Sequence, residues 1–354
     1  MIRYAAPIVL AAVAIAAAGF KLAASPAEQL QTFAETFLQT LDDDQLSIVT
    51  KPFDDPSRPG WHFIPKESRK GLAIGQMNDA QRTTALRMVR AALSESGYRK
   101  VDQIRVLESV VADLEGPDRR WSRSSDAYHL TIFGRPTATG SWAMSLEGHH
   151  VSINVVCRDG KVVDTTPQFL GTHPATVPID YTADHTTGDD SNRRSLPGGT
   201  RILAAEEDLG FELIGMLSAD QRRLAIVDDT APPETRFAGQ PQPVVDDSPM
   251  GIPHDQLTAG QQTKLMQLIN LYLDVAADPI ADARRQTIQS AGLDNLHFAW
   301  MGATEPGIGH YYRITGPTLL IELVNSQPDA LGTPANHLHC VLRDLTGDFD
   351  LPLN

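Results

Sequence analysis

The sequence is poor in cysteine, with only Cys157 and Cys340 among 354 residues. This scarcity excludes a small scaffold held together by many disulfides. Both cysteines fall at or near the ends of predicted strands, which leaves two interpretations. Either those strands are neighbours and the thiols form one bridge in an oxidising compartment, or both cysteines are buried free thiols.

Positive charge is also scarce, since 30 lysines and arginines face 44 aspartates and glutamates and give a net charge of −14. Binding to nucleic acid requires clustered lysine and arginine to neutralise phosphates, and no such cluster occurs. We therefore expect no nucleic-acid partner. An unidentified small molecule is the expected ligand.

Long apolar runs are missing except near the start, where residues 5–20 are apolar and follow the basic Arg3. This run is shorter than the roughly 20 residues of a membrane helix. Small residues follow it, which is typical of a secretory signal. We expect residues 1–27 to be a signal peptide or an uncleaved N-terminal anchor, and the protein to be exported to the periplasm or the outside of the cell. Membrane contact is expected only through that anchor.

What the chain does contain is an internal repeat. Four segments combine an apolar residue, a small or acidic cap and a glutamine four positions on: LDDDQLSIV, MNDAQRTTA, LSADQRRLA and LTAGQQTKL. Gln45 and Gln221 lie 176 residues apart, and Gln81 and Gln261 lie 180 residues apart. Two nearly equal spacings indicate a duplicated pair of helix starts.

The repeat organises the whole chain, because residues 128–156 align with residues 296–324 without a gap. We expect a first half over residues 28–165, a connector loop over 166–205 and a second half over 206–354. Each half combines segments with helical apolar spacing and later segments that alternate or run apolar between glycines. This order predicts an internally duplicated α+β fold, in which each half has helices followed by antiparallel strands.

A candidate metal site lies near the C-terminus, in the stretch NHLHCVLRD. Residues two apart in a strand share a face, so His337 and His339 should point the same way, opposite an apolar core face. His150, His310 and Glu322 fall on comparable non-core positions of other predicted strands. Imidazoles with one carboxylate suit zinc, iron, copper or manganese. The predicted ligands of one divalent transition metal are His337, His339, His310 and His150.

The leading hypothesis is a His- and Glu-lined cleft in the second half that serves a metal-dependent hydrolase or oxidoreductase. Catalytic roles are predicted for Glu322, as a base, and for Arg343. Substrate binding is predicted for Arg313, which could clamp a carboxylate, and for Tyr311 and Asn154. The alternative is a non-enzymatic periplasmic binding or structural module. Its histidines would join Glu322 and an arginine in a hydrogen-bond network.

Common enzyme motifs do not decide between these hypotheses, because no G-x-S-x-G, P-loop, dinucleotide fingerprint or H-E-x-x-H occurs. Longer motifs do carry a resemblance: WHFIP, EGHHVSINVV, TPQFLGTHPATV, HFAWMG, HYYRITGPTLLIE and ANHLHCVLRD. With them the chain resembles the bacterial exported proteins grouped as domain of unknown function 3500. The resemblance covers nearly everything after the signal. It implies no particular activity, because none is established for that family.

Overall fold

The computed structural model describes residues 24–182, 195–243 and 249–352. The expected signal peptide or anchor over residues 1–27 therefore lies almost entirely outside the described residues. Within the described ranges, no helix combines the length and the apolar character needed to cross a membrane. The same ranges contain eight α-helices: α1 (Pro26–Gln39), α2 (Asp43–Val49), α3 (Asp79–Ala92), α4 (Glu95–Glu115), α5 (Ala204–Met216), α6 (Ala219–Ala225), α7 (Ala259–Leu273) and α8 (Asp278–Ser290).

The described residues also contain fifteen strands. They are β1 (Thr50–Lys51), β2 (Leu72–Ala73), β3 (His129–Phe133), β4 (Ser141–Gly148), β5 (Val151–Arg158), β6 (Lys161–Asp164), β7 (Gln168–Thr172), β8 (Tyr181–Thr182), β9 (Ser195–Leu196), β10 (Ile226–Asp228), β11 (Ile252–Pro253), β12 (His297–Gly302), β13 (His310–Thr315), β14 (Leu320–Gln327) and β15 (His337–Arg343).

Thirteen of these strands form one sheet, and ten of them follow one another in the order β1, β3, β4, β5, β7, β15, β14, β13, β12, β10. In the same sheet β2 pairs with β3, β6 with β5 and β11 with β12, whereas β8 and β9 form a separate pair. The long strands pair with their neighbours in antiparallel fashion. Helices and a large antiparallel sheet confirm the predicted α+β class.

The repeated glutamine motif starts four helices, namely α2, α3, α6 and α7. In each, the glutamine side chain accepts a hydrogen bond from the backbone N–H of the residue just before the helix. This satisfies a donor at the helix start that has no partner in the helix. Gln81 also donates to Gln45 at 2.8 Å, and Gln221 donates to Gln261 at 2.8 Å. Each glutamine pair therefore fastens two helix starts together.

The sheet is buried on both faces, which differs from the expected single core face. Helices cover one face and form the main apolar core with it. The opposite face is covered by loops over residues 52–70 and 231–243, and there Trp61 and Phe63 pack with Phe169. The histidine-bearing face of β15 is therefore an internal surface. We refer to it as the loop-covered face.

The segment expected to be a connector loop, residues 166–205, contributes β7 to the middle of the sheet. β7 separates β5 from β15, so Cys157 of β5 and Cys340 of β15 do not lie on neighbouring strands. Both cysteines are buried free thiols. Burial raises the pKa of Cys157 to about 12, and the pKa of Cys340 is also raised. The structure thus has neutral thiols and no bridge between them.

Candidate metal centre

His150 lies at the tip of the hairpin that joins β4 to β5. Its φ angle is +62°, in the left-handed region that non-glycine residues rarely adopt. Two backbone hydrogen bonds hold it there: its N–H donates to Phe63 O at 2.8 Å, and its carbonyl accepts from the Gly171 N–H at 2.8 Å. Strained residues of this kind cluster at functional sites, where the surrounding structure keeps the strain in place.

His337 and His339 lie on β15, and alternation places both imidazoles on the loop-covered face. Gly171 of the neighbouring β7 lies opposite His339. A Cβ atom at Gly171 would stand 3.0 Å from Cδ2 of His150 and 3.0 Å from Cδ2 of His339. The lack of a side chain at this position therefore provides the space in which the two rings approach each other.

The three imidazoles converge through their Nε2 atoms. His150 Nε2 lies 2.9 Å from that of His337 and 3.2 Å from that of His339, and the last two are 3.1 Å apart. The middle of this triangle is roughly 1.8 Å from each nitrogen, which is close to the ~2.0–2.1 Å of a Zn–N bond. These three residues could therefore hold a metal ion. We call them the histidine cluster.

Hydrogen bonds alone cannot satisfy this triangle. The Nε2 atom of a neutral imidazole either carries one proton or presents one lone pair. With three such atoms in mutual contact, two of the same kind always face each other, whichever tautomers are assigned. A cation among three lone pairs removes this conflict. The geometry therefore favours a metal site over a purely structural network.

A carboxylate from the covering loop orients one ring of the cluster. Glu234 Oε1 lies 2.9 Å from Nδ1 of His339, so Nδ1 carries the proton and Nε2 keeps its lone pair. Burial raises the pKa of Glu234, but hydrogen bonds from His339 and Thr235 outweigh that effect and leave this pKa below its ordinary value. Glu234 is therefore an anion that fixes the tautomer of His339.

Two further histidines pack against the cluster. The His149 ring stacks on His150 with 3.7 Å between centroids, and the His173 ring stacks on His337 with 4.3 Å. His149 in turn contacts Glu108 of α4 through Nδ1. Burial and then the neighbouring imidazoles lower the pKa of His150 and of His337 far below the ordinary value. Both rings are thus neutral, which is the form that binds a metal.

Comparison with known proteins identifies a family for this chain. The profile of the family described as protein of unknown function (DUF3500) matches residues 23–351, nearly the whole chain. The chain belongs to this family. No curated protein and no solved structure gives a significant match. The site geometry is therefore the main guide to what this member of the family does.

His310, predicted as a ligand, does not join the cluster. It lies on β13 with its ring on the helix-covered face, where it packs against Phe211 and Trp300. Its Nε2 lies 3.1 Å from Oε1 of Glu207 on α5. The physical reason is alternation, because the adjacent Tyr311 faces the covering loops and His310 must then face the helices.

Glu322, predicted as a catalytic base, also lies outside the cluster. In the register of β14 and β15 it pairs with Val341, two residues beyond His339. Its Oε1 accepts a hydrogen bond from Tyr311 Oη at 2.6 Å, and Arg313 lies opposite it on β13. Burial raises the pKa of Glu322, partly offset by Tyr311. The structure thus gathers Glu322 with two predicted substrate-binding residues into a separate buried group.

Arg343 and Asn154 have other partners as well. Nε of Arg343 donates to Asp348 Oδ2 at 2.5 Å, and both side chains are almost completely buried. Nδ2 of Asn154 donates to Pro167 O at 2.8 Å. These contacts connect the loops to the sheet. They do not place Arg343 or Asn154 at the histidine cluster.

Sequence reasoning missed the parts of the site that come from other segments. Glu234 lies in a loop whose sequence indicates only a polar segment. No pattern in that segment predicts a contact with His339. His149 and His173 stand in the quoted motifs EGHHVSINVV and TPQFLGTHPATV. All six quoted motifs contain histidine, so the presence of a histidine in a motif does not separate the cluster and its neighbours from His62, His297 and His310.

Proposed function

We propose that the protein binds one divalent transition-metal ion at the histidine cluster and acts as a metal-dependent hydrolase or oxidoreductase. The observation that carries this proposal is the convergence of three Nε2 atoms within 3.2 Å of one another. The strained backbone of His150 and the carboxylate on His339 support it, because both are features of metal and active sites.

The ligand set narrows the choice of metal. Neutral imidazoles suit zinc, copper and iron, whereas manganese prefers sites richer in carboxylate and water. Catalytic zinc sites typically keep three protein ligands and one open position, and structural sites use four. A group of three histidines therefore matches the catalytic pattern. An ion bound there would polarise a substrate oxygen or lower the pKa of a bound water molecule.

Metal analysis of the purified chain tests the proposal. We expect one equivalent of zinc, copper or iron to copurify or to bind at micromolar concentration. Alanine at His150, His337 or His339 should abolish this uptake while circular dichroism shows a folded protein. His297→Ala is the matched control, because His297 lies on β12, four strands from β7. A wild-type chain that binds none of these metals would refute the proposal.

The alternative function is a non-enzymatic binding or structural module. The burial of the cluster favours it, since His150 and His339 are only 3% and 4% exposed. Azide added to the copper- or cobalt-loaded protein distinguishes the two functions. A change in the visible spectrum requires an open coordination position and supports catalysis. An unchanged spectrum supports a closed, structural metal.

We further propose that the protein is exported and that residues 1–27 are a signal peptide or an anchor. The basic Arg3 followed by the apolar residues 5–20 supports this proposal. Cell fractionation with N-terminal sequencing tests it. A shortened chain outside the cytoplasm indicates a cleaved signal, and a full-length membrane-bound chain indicates an anchor. A full-length cytoplasmic chain would contradict export.

Finally, we propose that the two halves arose by internal duplication. In support, the strand order runs outward from the central β7 and β15 through matching elements on both sides. On one side β1 is parallel to β3, and on the other β10 is parallel to β12. The glutamine pairs of α2 with α3 and of α6 with α7 also match. Superposition of residues 128–156 on residues 296–324 in an experimental structure provides the test.

A further inference from the structure

The loop segment over residues 232–236 is fastened to β14 at both ends. At one end, Ser326 and Gln327 each donate a side-chain hydrogen bond of 2.7 Å to a backbone carbonyl of the segment. At the other end, the Arg236 N–H donates to Oε1 of Glu322 at 3.0 Å. Three side chains of one strand therefore determine where this segment lies.

The middle residue of the segment is Glu234, whose carboxylate lies 2.9 Å from Nδ1 of His339. Oε1 of Glu234 also accepts hydrogen bonds from the N–H and the hydroxyl of Thr235, at 2.7 and 3.1 Å. Local hydrogen bonds thus set the direction of the carboxylate relative to the segment. The fastening to β14 sets the position of the segment relative to the cluster.

Glu322 is an unusual residue to find in the interior. It is completely buried, and its Oε2 has no hydrogen-bond partner among the described residues. Burying a carboxylate is costly unless its contacts compensate for the lost hydration. The aligned position of the first half carries the uncharged Asn154. In the second half, Oε1 of Glu322 accepts hydrogen bonds from both Tyr311 Oη and the Arg236 N–H, so this side chain joins the loop segment to the sheet.

We propose that β14 positions the metal centre through this segment, with Glu322 as the principal positioning residue. Glu322 holds the segment so that Glu234 keeps the proton of His339 on Nδ1. Nε2 of His339 is then free to face the ion. This inference rests on the proposed function for its purpose, but the tautomer of His339 can be measured without a metal.

Nitrogen NMR of the metal-free full chain with isotope-labelled histidine reads out that tautomer. We expect the Nδ1–H tautomer of His339 in the wild type and a shift towards the Nε2–H tautomer in Glu234→Ala and Glu322→Leu. Glu322→Gln should retain the wild-type tautomer, because an amide oxygen still accepts a hydrogen bond from the Arg236 N–H. A wild-type tautomer in folded Glu322→Leu would overturn the inference.

Metal affinity gives a second measurement. Loss of an outer carboxylate typically weakens binding about 10- to 100-fold, so Kd should rise by this factor in Glu234→Ala and by about 10-fold in Glu322→Leu. The double variant should bind no more weakly than Glu234→Ala, because both changes act on one pathway. Additive losses would overturn the inference. If the tautomers shift as expected but the wild type binds no metal, the proposed function fails and the positioning role stands.

Glu206→Leu is the matched control. Glu206 is another buried carboxylate with an oxygen that lacks a hydrogen-bond partner in the described part of the chain, but it pairs with Lys100 on the helix-covered face. Its loss should lower stability without changing the tautomer of His339, and an equal change would overturn the inference. If Glu322→Leu does not fold, the half-buried Ser326 and Gln327 are replaced together by alanine. That variant must shift the tautomer in the same direction, and an unchanged tautomer would refute the role of β14.

Discussion

Replacing Gly171 by alanine tests the histidine cluster with a single methyl group. Gly171 lies inside β7 and its φ angle is not in the left-handed region, so alanine can adopt its backbone conformation. The added Cβ would stand 3.0 Å from Cδ2 of His150, from Cδ2 of His339 and from Leu338 O. Carbon atoms in contact lie roughly 3.5–4.0 Å apart. Both rings must therefore move by a few tenths of an ångström.

The substitution should affect the metal affinity more than the free energy of unfolding. Overpacking of this kind lowers the free energy of unfolding by about 1–3 kcal/mol. The metal should be affected more strongly, because metal–ligand distances tolerate changes of only about 0.2 Å. A shift of two of the three ligand rings should therefore raise Kd at least about 10-fold, the lower limit for indirect changes at metal sites.

Competition against a chelator of known affinity measures Kd, and thermal unfolding of the metal-free protein measures the packing cost. Gly215→Ala is the control, because a Cβ at Gly215 of α5 meets no atom within 4 Å. That variant should gain up to about 1 kcal/mol of stability from helix propensity and keep the wild-type Kd. A Gly171→Ala protein that binds the metal as tightly as the wild type would refute the reasoning.

Three further predictions concern stability. Burial and then the Asp348 carboxylate raise the pKa of Asp164 from 3.8 to about 7. The protonated form of Asp164 therefore stabilises the fold fully below pH 3.8, and this stabilisation is lost as the pH rises through 7. Asp164→Asn should flatten the decline of the unfolding free energy across that range, and an unchanged pH slope would contradict this. Asp348→Ala should cost about 3–5 kcal/mol in denaturant unfolding, because the buried Arg343 then has only the carbonyls of Phe237 and Gln240 and no carboxylate as partners, and a cost below about 1 kcal/mol would contradict it. A metal at about 100 times its Kd should raise the unfolding free energy of the wild type by about 2.7 kcal/mol, and His150→Ala should show no such gain.

The parts of the fold that the sequence predicts best are local. The helix starts just before Gln45 and Gln221 follow from a cap residue and a glutamine three positions later, and this motif needs no distant partner. The place of β7 could not be predicted in this way. Pro167 and Pro174 bound this segment, so the sequence predicts a loop. In the structure it pairs with β5 on one side and β15 on the other and is a central strand. Tertiary pairing here overrides a local turn signal.

The candidate site likewise has a part that local sequence predicts and a part that it does not. Period-two alternation predicts that His337 and His339 share a face, because that property belongs to a single strand. Which groups lie opposite them depends on register and on loop paths, neither of which is encoded locally. The sequence therefore predicts that Glu322 shares a cleft with the histidines, whereas in the structure Glu322 pairs with Val341, two residues beyond His339. Glu234, which does reach His339, comes from a loop 105 residues away in sequence.

The charges around the cluster favour a cation at its centre. Three neutral imidazoles leave the charge of a divalent ion uncompensated in a buried site. Glu234 supplies one negative charge through His339. On the side of His150, Glu108 contacts Nδ1 of His149, and Glu108 and Glu115 both lie beside Arg123. Glu234 is therefore the negative charge next to the cluster that would offset part of the charge of a divalent ion.

Glu234→Gln separates this charge balance from geometry. The amide oxygen of glutamine can still accept the Nδ1 proton of His339, so the tautomer should stay as in the wild type. The negative charge is lost, and the affinity for a divalent ion should fall about 10-fold as a result. Chelator competition at one fixed ionic strength measures the effect, because the Glu234 side chain is 30% exposed and salt screens exposed charges. An unchanged Kd for Glu234→Gln would mean that the carboxylate acts only by orienting His339, and that its charge has no part in holding the ion.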